Sequence, residues 1–193
     1  MDRVEIPPQA LVHISNLDIS KAVFDLAIQS VNNKPKQALW TSDWKDNILV
    51  QGWINWNCFV YEGYSKNALL EECLYKVYPK KEVKVFELAT LEDLEKMPKI
   101  DIKEVFNDED VDFISPFYSK FFNYQALKDQ GYDGFHITAE AASHHSSLGL
   151  SSLLYNFDCE SSVWFHLDWI DHIELADGNL FKTLKEYLPQ TDD

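Results

Sequence analysis

Apolar and polar positions along the chain repeat with two different periods, and the switches between them divide it into short elements. Ala10-Leu11-Val12-His13-Ile14-Ser15 reads as a strand bounded by Pro7-Pro8 and Asn16. From Asp18 to Val31, Ile19, Ala22, Val23, Leu26 and Ala27 recur at helical spacing behind a candidate N-cap, Asp18. Asn32-Asn33-Lys34-Pro35 stops that helix, and Ala38-Leu39-Trp40-Thr41 reads as the second strand. Trp44 to Tyr61 is rich in Trp and has no clean period, while Tyr64 to Val77 is expected to contain a helix. Val83 to Leu88 alternates as a strand does, and Thr90-Leu91-Glu92-Asp93 has the form of a capped helix start.

The second half continues the mixture. Phe121 to Gln130 reads as a helix stopped at Gly131, and Phe135-His136-Ile137-Thr138 as a strand after the turn Gly131-Tyr132-Asp133-Gly134. A polar stretch from Ala139 to Asp158 leads to a strand over 162–167, a short strand over 172–175 and a terminal helix from Phe181 to Leu188. Short strands interspersed irregularly with helices argue for the α+β class over a doubly wound sheet. With 193 residues and no internal repeat, residues 1–193 are expected to form a single domain. Neither G-x-G-x-x-G nor G-x-x-x-x-G-K-[ST] occurs, so the chain carries no standard phosphate-binding loop.

Composition then narrows the partners. The chain is 46% apolar and 14% aromatic, enough for a sizeable core. Thirty-two acids against seventeen bases leave a net charge of −15, and Arg3 is the sole arginine. A protein that tracks phosphates concentrates Lys and Arg on one face. Direct, extended nucleic-acid binding is therefore not expected, and a partner with a basic surface suits the field better. The block from Glu92 to Asp112 holds nine acids and three lysines, read as a solvated excursion. Cys58, Cys73 and Cys159 form no C-x-x-C pair, which argues against a disulfide framework or a zinc ribbon and for reduced thiols. Residues 1–8 carry no apolar signal segment, and no apolar run reaches membrane-spanning length, so a cytoplasmic protein without a membrane span is expected.

Three segments carry candidate chemistry. One is the strand Leu11-Val12-His13-Ile14-Ser15, with a histidine at its centre; the next is Lys34 to Ser42, ending Trp40-Thr41-Ser42. The third is Gly131-Tyr132-Asp133-Gly134-Phe135, a long loop, and then Cys159-Glu160-Ser161-Ser162-Val163-Trp164-Phe165. In this order they resemble the ADP-ribosyltransferase fold, in particular its diphtheria-toxin-like and poly-ADP-ribose-polymerase-like branch and its small bacterial and phage-encoded members. The resemblance runs from about Leu11 to Ile173.

It implies two small antiparallel sheets split around an NAD cleft, with helices, and an enzyme that uses NAD as co-substrate. Such an enzyme cleaves the nicotinamide–ribose bond and transfers ADP-ribose to a macromolecular acceptor, most naturally a protein. By the same resemblance His13 and Ser15 bind the cofactor, and Trp40, Thr41 and Ser42 line its cleft. Glu160 is the catalytic carboxylate, with Asp158 as its rival because the spacing to Phe165 departs by one residue from the family pattern. The stretch from Ala139 to Asp158, including His144 and His145, becomes the acceptor loop. The chemistry fits these types: bond cleavage builds positive charge on the ribose, and a carboxylate beneath it stabilises that charge more than the ground state.

Each of these residues also has a plainer role open to it. His13 and Trp40 suit a core, and Gly131 and Gly134 suit a helix stop and a turn. Adjacent His144 and His145 have no partner at metal-ligand spacing, so no metal site is expected. No protease signature surrounds Cys159. The rival function is an acidic, non-catalytic binding protein that inhibits a basic, nucleic-acid-handling partner by charge mimicry.

Overall fold

Strand-forming segments dominate the computed structural model, which describes residues 5–14, 18–28, 33–47, 50, 52–55, 72–107, 110–112, 119–144, 150–154 and 157–184. In chain order the strands are β1 (Gln9–Ile14), β2 (Asp25–Ile28), β3 (Pro35–Gln37), β4 (Leu39–Asp43), β5 (Glu72–Pro79) and β6 (Val85–Leu88). They continue as β7 (Lys99–Asp101), β8 (Lys120–Phe122), β9 (Gly134–Ile137), β10 (Ser161–Trp164) and β11 (Ile170–Asp177). Among the described residues, seven of these form one sheet in the order β11-β5-β1-β4-β10-β9-β6, and β2-β3 and β7-β8 form two small pairs. Neighbours in the large sheet run antiparallel except β6 and β9, which are parallel.

The α+β class is thus observed, with a mostly antiparallel sheet and short helices. In place of two separate sheets there is one sheet with a narrow waist. Among the described residues its halves, β11-β5-β1 and β4-β10-β9-β6, join through two register pairs, Gln9 with Asp43 and Ala10 with Ser42.

Alternation along the strands sorts the side chains onto two faces. One face buries Phe86, Leu88, Phe135, Ile137 and Val163 in a large cluster with Leu94, Phe121, Phe122, Tyr124 and Phe157. The same face of β1 and β5 buries Ala10 and Leu74 against Ile54, Leu180 and Leu184. The other face is covered by a smaller cluster of Leu11, Leu39, Val77, Val83, Trp164 and Trp169. There the Trp164 and Trp169 rings stack with centroids 3.7 Å apart. Gly134 sits beneath this stack, where an added Cβ would lie 2.7 Å from the Trp164 ring and 2.8 Å from the Val163 carbonyl oxygen. A residue with any side chain cannot occupy that position without displacing backbone.

Several expectations need correction. The helix predicted over 18–31 is a short 3-10 turn, Ile19–Lys21, followed by β2 paired to β3. Asp18 caps no backbone N–H there; its carboxylate accepts from Ser20 Oγ and pairs with Lys21. Leu26 is buried while Val23 is 65% exposed, so the apolar residues do not make one helical stripe. The helix predicted over 64–77 has its described end, from residue 72, in β5. That strand lies between β1 and β11, where both faces are covered and Cys73-Leu74-Tyr75-Lys76-Val77 shows no clean period-2 pattern.

The segment 121–130 divides at Asn123, whose side chain accepts the Ala126 N–H as the N-cap of a helix, Tyr124–Asp129, that follows β8. The polar stretch after β9 contains a helix, Ala139–Ser143, and a 3-10 segment, Leu150–Leu154. Other expectations hold. The helix Leu91–Lys96 carries the capping box between Thr90 and Asp93, and β1, β4, β6, β9, β10 and β11 fall within a few residues of their predicted places.

Candidate active site at the sheet waist

The face that carries the smaller cluster changes character towards one end. Thr41 pairs with Ser162, Ser162 with His136, and His136 with Glu87, so four polar residues form a row across β4, β10, β9 and β6. Gln9 opposite Asp43, two residues on from Thr41, extends the row across the waist to β1. Glu160 enters from the residue preceding β10, two positions before Ser162. These side chains stand together because period-2 alternation places 41 and 43, and 160 and 162, on one face.

A chain of hydrogen bonds fixes the arrangement from the core outwards. The Trp164 indole N–H donates to Thr41 Oγ1 at 2.8 Å, and the Thr41 hydroxyl donates to Gln9 Oε1 at 2.8 Å. The Gln9 amide then donates to Asp43 Oδ1 at 2.8 Å, and the Asp43 backbone N–H donates to Glu160 Oε1 at 2.7 Å. Gln9, Thr41, Ser162 and Trp164 are buried, and the Glu160 side chain is only 12% exposed. Lys45 Nζ stands 3.6 Å from Glu160 Oε2 and 3.9 Å from Asp43 Oδ2. His136 Nδ1 lies 2.9 Å from Ser162 Oγ. One donor atom from each of Asp43, His136 and Glu160 falls within 4.8 Å of the others. Beside them is a small cavity of about 80 Å³ bordered by Pro7, Gln9, Asp43, His136, Ser162 and Trp164.

Two carboxylates held this close, each with one oxygen tied by a neutral donor, make a strongly negative and pre-oriented site. Burial weakens screening, so the pair acts on any nearby positive charge more strongly than it would in water. Such a site can stabilise a developing cation, hold a metal ion, or accept a proton from a nucleophile.

The residues expected from the sequence are distributed as follows. Glu160 is in the cluster, whereas Asp158 is exposed. Thr41 takes part as a buried relay. Trp40 and Ser42 point to the opposite face, so the three residues cannot line one cleft. Trp40 packs on the large core with its ring centroid 6.2 Å from that of Phe157, and Lys34 Nζ lies 5.4 Å above it. Ser42 lies under Gly52, whose added Cβ would be 3.4 Å from the serine Cβ. The backbone of His13 pairs with Cys73, four residues along β1 from Gln9 and so about 13 Å away. His144 is the exposed C-cap of the helix Ala139–Ser143, 3.9 Å from Glu140, while Ser15 and His145 lie outside the described residues.

Burial pushes the Cys159 thiol up from its ordinary value, which argues against a thiolate nucleophile there. His166 lies 3.2 Å from Asp133 and accepts the Asp168 N–H. Reading the sequence alone misses Gln9, Asp43, Lys45, His136 and Ser162. Two signals were available: a polar residue two places beyond Thr41 on the same strand, and a histidine set among Phe135 and Ile137.

Comparison with protein-family models, curated proteins and solved structures gives no match. The site's chemistry therefore rests on its own geometry.

Proposed function

We propose that the chain is an NAD-dependent ADP-ribosyltransferase in which Glu160 is the catalytic carboxylate. The observation that carries the reading is the Glu160 side chain itself, mostly buried, with one oxygen held by the Asp43 N–H and a second carboxylate adjacent. In the reaction the nicotinamide–ribose C–N bond breaks and its electron pair leaves with nicotinamide. The ribose carbon left behind carries positive charge. A fixed carboxylate lowers the energy of that state more than of neutral ground-state sugar. The acceptor's lone pair then forms the new bond to the ribose carbon, and its proton passes to a carboxylate or to solvent.

The narrow waist supports the same reading. Among the described residues β1 and β4 pair at Gln9–Asp43 and Ala10–Ser42, so the strand bearing His13 and the strand leading to Asp43 are not hydrogen-bonded to each other further from the carboxylates. An extended dinucleotide suits such a layout, with its adenosine end towards His13 and its nicotinamide ribose at Glu160. The net charge of −15 favours an acceptor protein with a basic surface, drawn in by the complementary field. Among the described residues no helix is long and apolar enough to cross a membrane.

The test is nicotinamide release from NAD by purified protein, with and without a bacterial lysate, compared with Glu160→Gln. Release that rises with lysate and is lost in the variant, with folding intact, supports transfer chemistry at Glu160. Wild-type release in Glu160→Gln refutes the assignment. Absence of both NAD binding and release leaves the acidic binding protein as the surviving function, to be pursued by capture of basic partners.

A further inference from the structure

We infer that Asp43, His136 and Glu160 form a binding site for a divalent transition-metal ion. This does not rest on the transferase reading, and an ion held here would occupy the Glu160 carboxylate that the transferase reading assigns to the ribose. The donors come from the end of β4, from the middle of β9 and from the residue before β10, three separate parts of the sheet brought to one point. One imidazole with two carboxylates is a mixed nitrogen and oxygen set, which suits Zn²⁺, Mn²⁺ or Fe²⁺ better than the all-oxygen preference of Ca²⁺ or Mg²⁺.

Each donor residue has one atom tied to the scaffold and another left for an ion. Asp43 Oδ1 accepts from Gln9 and Glu160 Oε1 from the Asp43 N–H, so that among the described residues Asp43 Oδ2 and Glu160 Oε2 face only the Lys45 ammonium; His136 Nδ1 is engaged by Ser162, leaving Nε2. Outer partners of this kind orient metal ligands and tune their affinity. One ligand atom of each of the three residues lies within 4.8 Å of the others. Metal bonds of about 2.1 Å place adjacent ligand atoms about 3 to 3.5 Å apart, so modest side-chain rotations close the set. The adjoining cavity of about 80 Å³ leaves room for water or a substrate atom on an open coordination position.

Lys45 occupies the same negative field, at 3.6 and 3.9 Å from the two carboxylates. Those distances are those of long ion pairs, and the lysine side chain is 42% exposed. The ammonium meets both carboxylates at long range from a half-exposed side chain, so a divalent ion of twice the charge at bonding distance displaces it.

The test is a titration of the full chain, without NAD, by Zn²⁺ and Mn²⁺ in a calorimeter and by Co²⁺ followed through its visible absorption. Expected is one ion per chain in the micromolar range. His136→Ala and Glu160→Gln should each weaken it by about tenfold or more, and Ser162→Ala by about tenfold through the imidazole it orients. His172→Ala, on the far strand beside Asp171 and Glu174, should leave it unchanged. Circular dichroism and the midpoint of urea unfolding verify that each variant is folded. Should His136→Ala fold poorly, His136→Gln with the loss of the Co²⁺ ligand-field band answers the same question. Binding weaker than millimolar for all three ions, or binding equal in wild type and the His136 and Glu160 variants, overturns the inference. Because no NAD is present, either result is independent of whether Glu160→Gln loses nicotinamide release.

Discussion

Replacing Thr41 by valine removes one hydroxyl from the middle of the hydrogen-bond chain and little else, since valine nearly matches threonine in shape. The hydroxyl accepts from Trp164 Nε1 and donates to Gln9 Oε1, both at 2.8 Å. Trp164 is 0% exposed, Gln9 1% and Thr41 6%, so neither abandoned partner is simply returned to water. A buried polar group stripped of its partner costs about 1–3 kcal/mol. The indole N–H bears the full cost. The Gln9 amide borders the cavity and recovers part of its loss from water there, giving about 2–4 kcal/mol in total. With a urea m-value of about 2 kcal/mol/M, the unfolding midpoint should fall by about 1–2 M.

Thr41→Ser keeps the hydroxyl and loses a buried methyl, a cost of about 1 kcal/mol. The diagnostic is therefore the gap between the two variants, measured by urea unfolding with unchanged m. Equal midpoints for valine and serine would show that the relay contributes nothing. A valine variant as stable as wild type, but with weaker NAD affinity, would instead return Thr41 to the role of a cofactor contact.

Two further substitutions probe the packing around Trp164 and the cap of the helix Leu91–Lys96. Gly134→Ala places a Cβ against the Trp164 ring and the Val163 carbonyl; the ring can shift but the carbonyl belongs to the sheet, so urea unfolding should show a loss of about 1–3 kcal/mol. The displaced indole should also release Thr41 and so lower nicotinamide turnover, and a fully stable variant would contradict the close approach. Thr90→Ala should cost about 1 kcal/mol at neutral pH by removing the N-cap of Leu91–Lys96. The Thr90 hydroxyl, and then backbone N–H groups, hold the Asp93 carboxyl below its ordinary value. Its contribution is thus present above pH of about 4 and lost as pH falls through the lowered folded value. Unfolding at pH 7 and pH 3 should show a shallower acid loss in Thr90→Ala; identical slopes in the two proteins would refute the assignment.

Local signals in the sequence recovered the elements whose cause is local. The Thr90–Asp93 capping box needs only four residues, and it is present as read. β9 and β10 are apolar runs flanked by turn residues, and both formed close to their predicted limits. β2 and β5 were misread because their identity is decided elsewhere. β2 exists through its pairing with β3, and β5 is covered on both faces by packing that hides its period. Tertiary context overrode propensity in each.

The site follows the same division, and it shows why Glu160 was legible while its neighbours were not. Glu160 was named from the order of segments that carries the resemblance, and order along the chain needs no knowledge of strand pairing. Asp43, Gln9 and His136 acquire meaning only through register: Gln9 with Asp43, and Ser162 with Thr41 on one side and His136 on the other. A slip of one residue in any of these pairings would send its polar residue to the opposite, apolar face. The alternation that assembles Thr41 and Asp43 also removes Trp40 and Ser42 from the same cleft, so the hydroxyl-rich strand end could not act as one contiguous motif. Register is therefore the quantity that makes this surface a site. The buried Trp164–Thr41–Gln9 bonds are what pin it, because each runs between different strands and none survives a shift of the pairing.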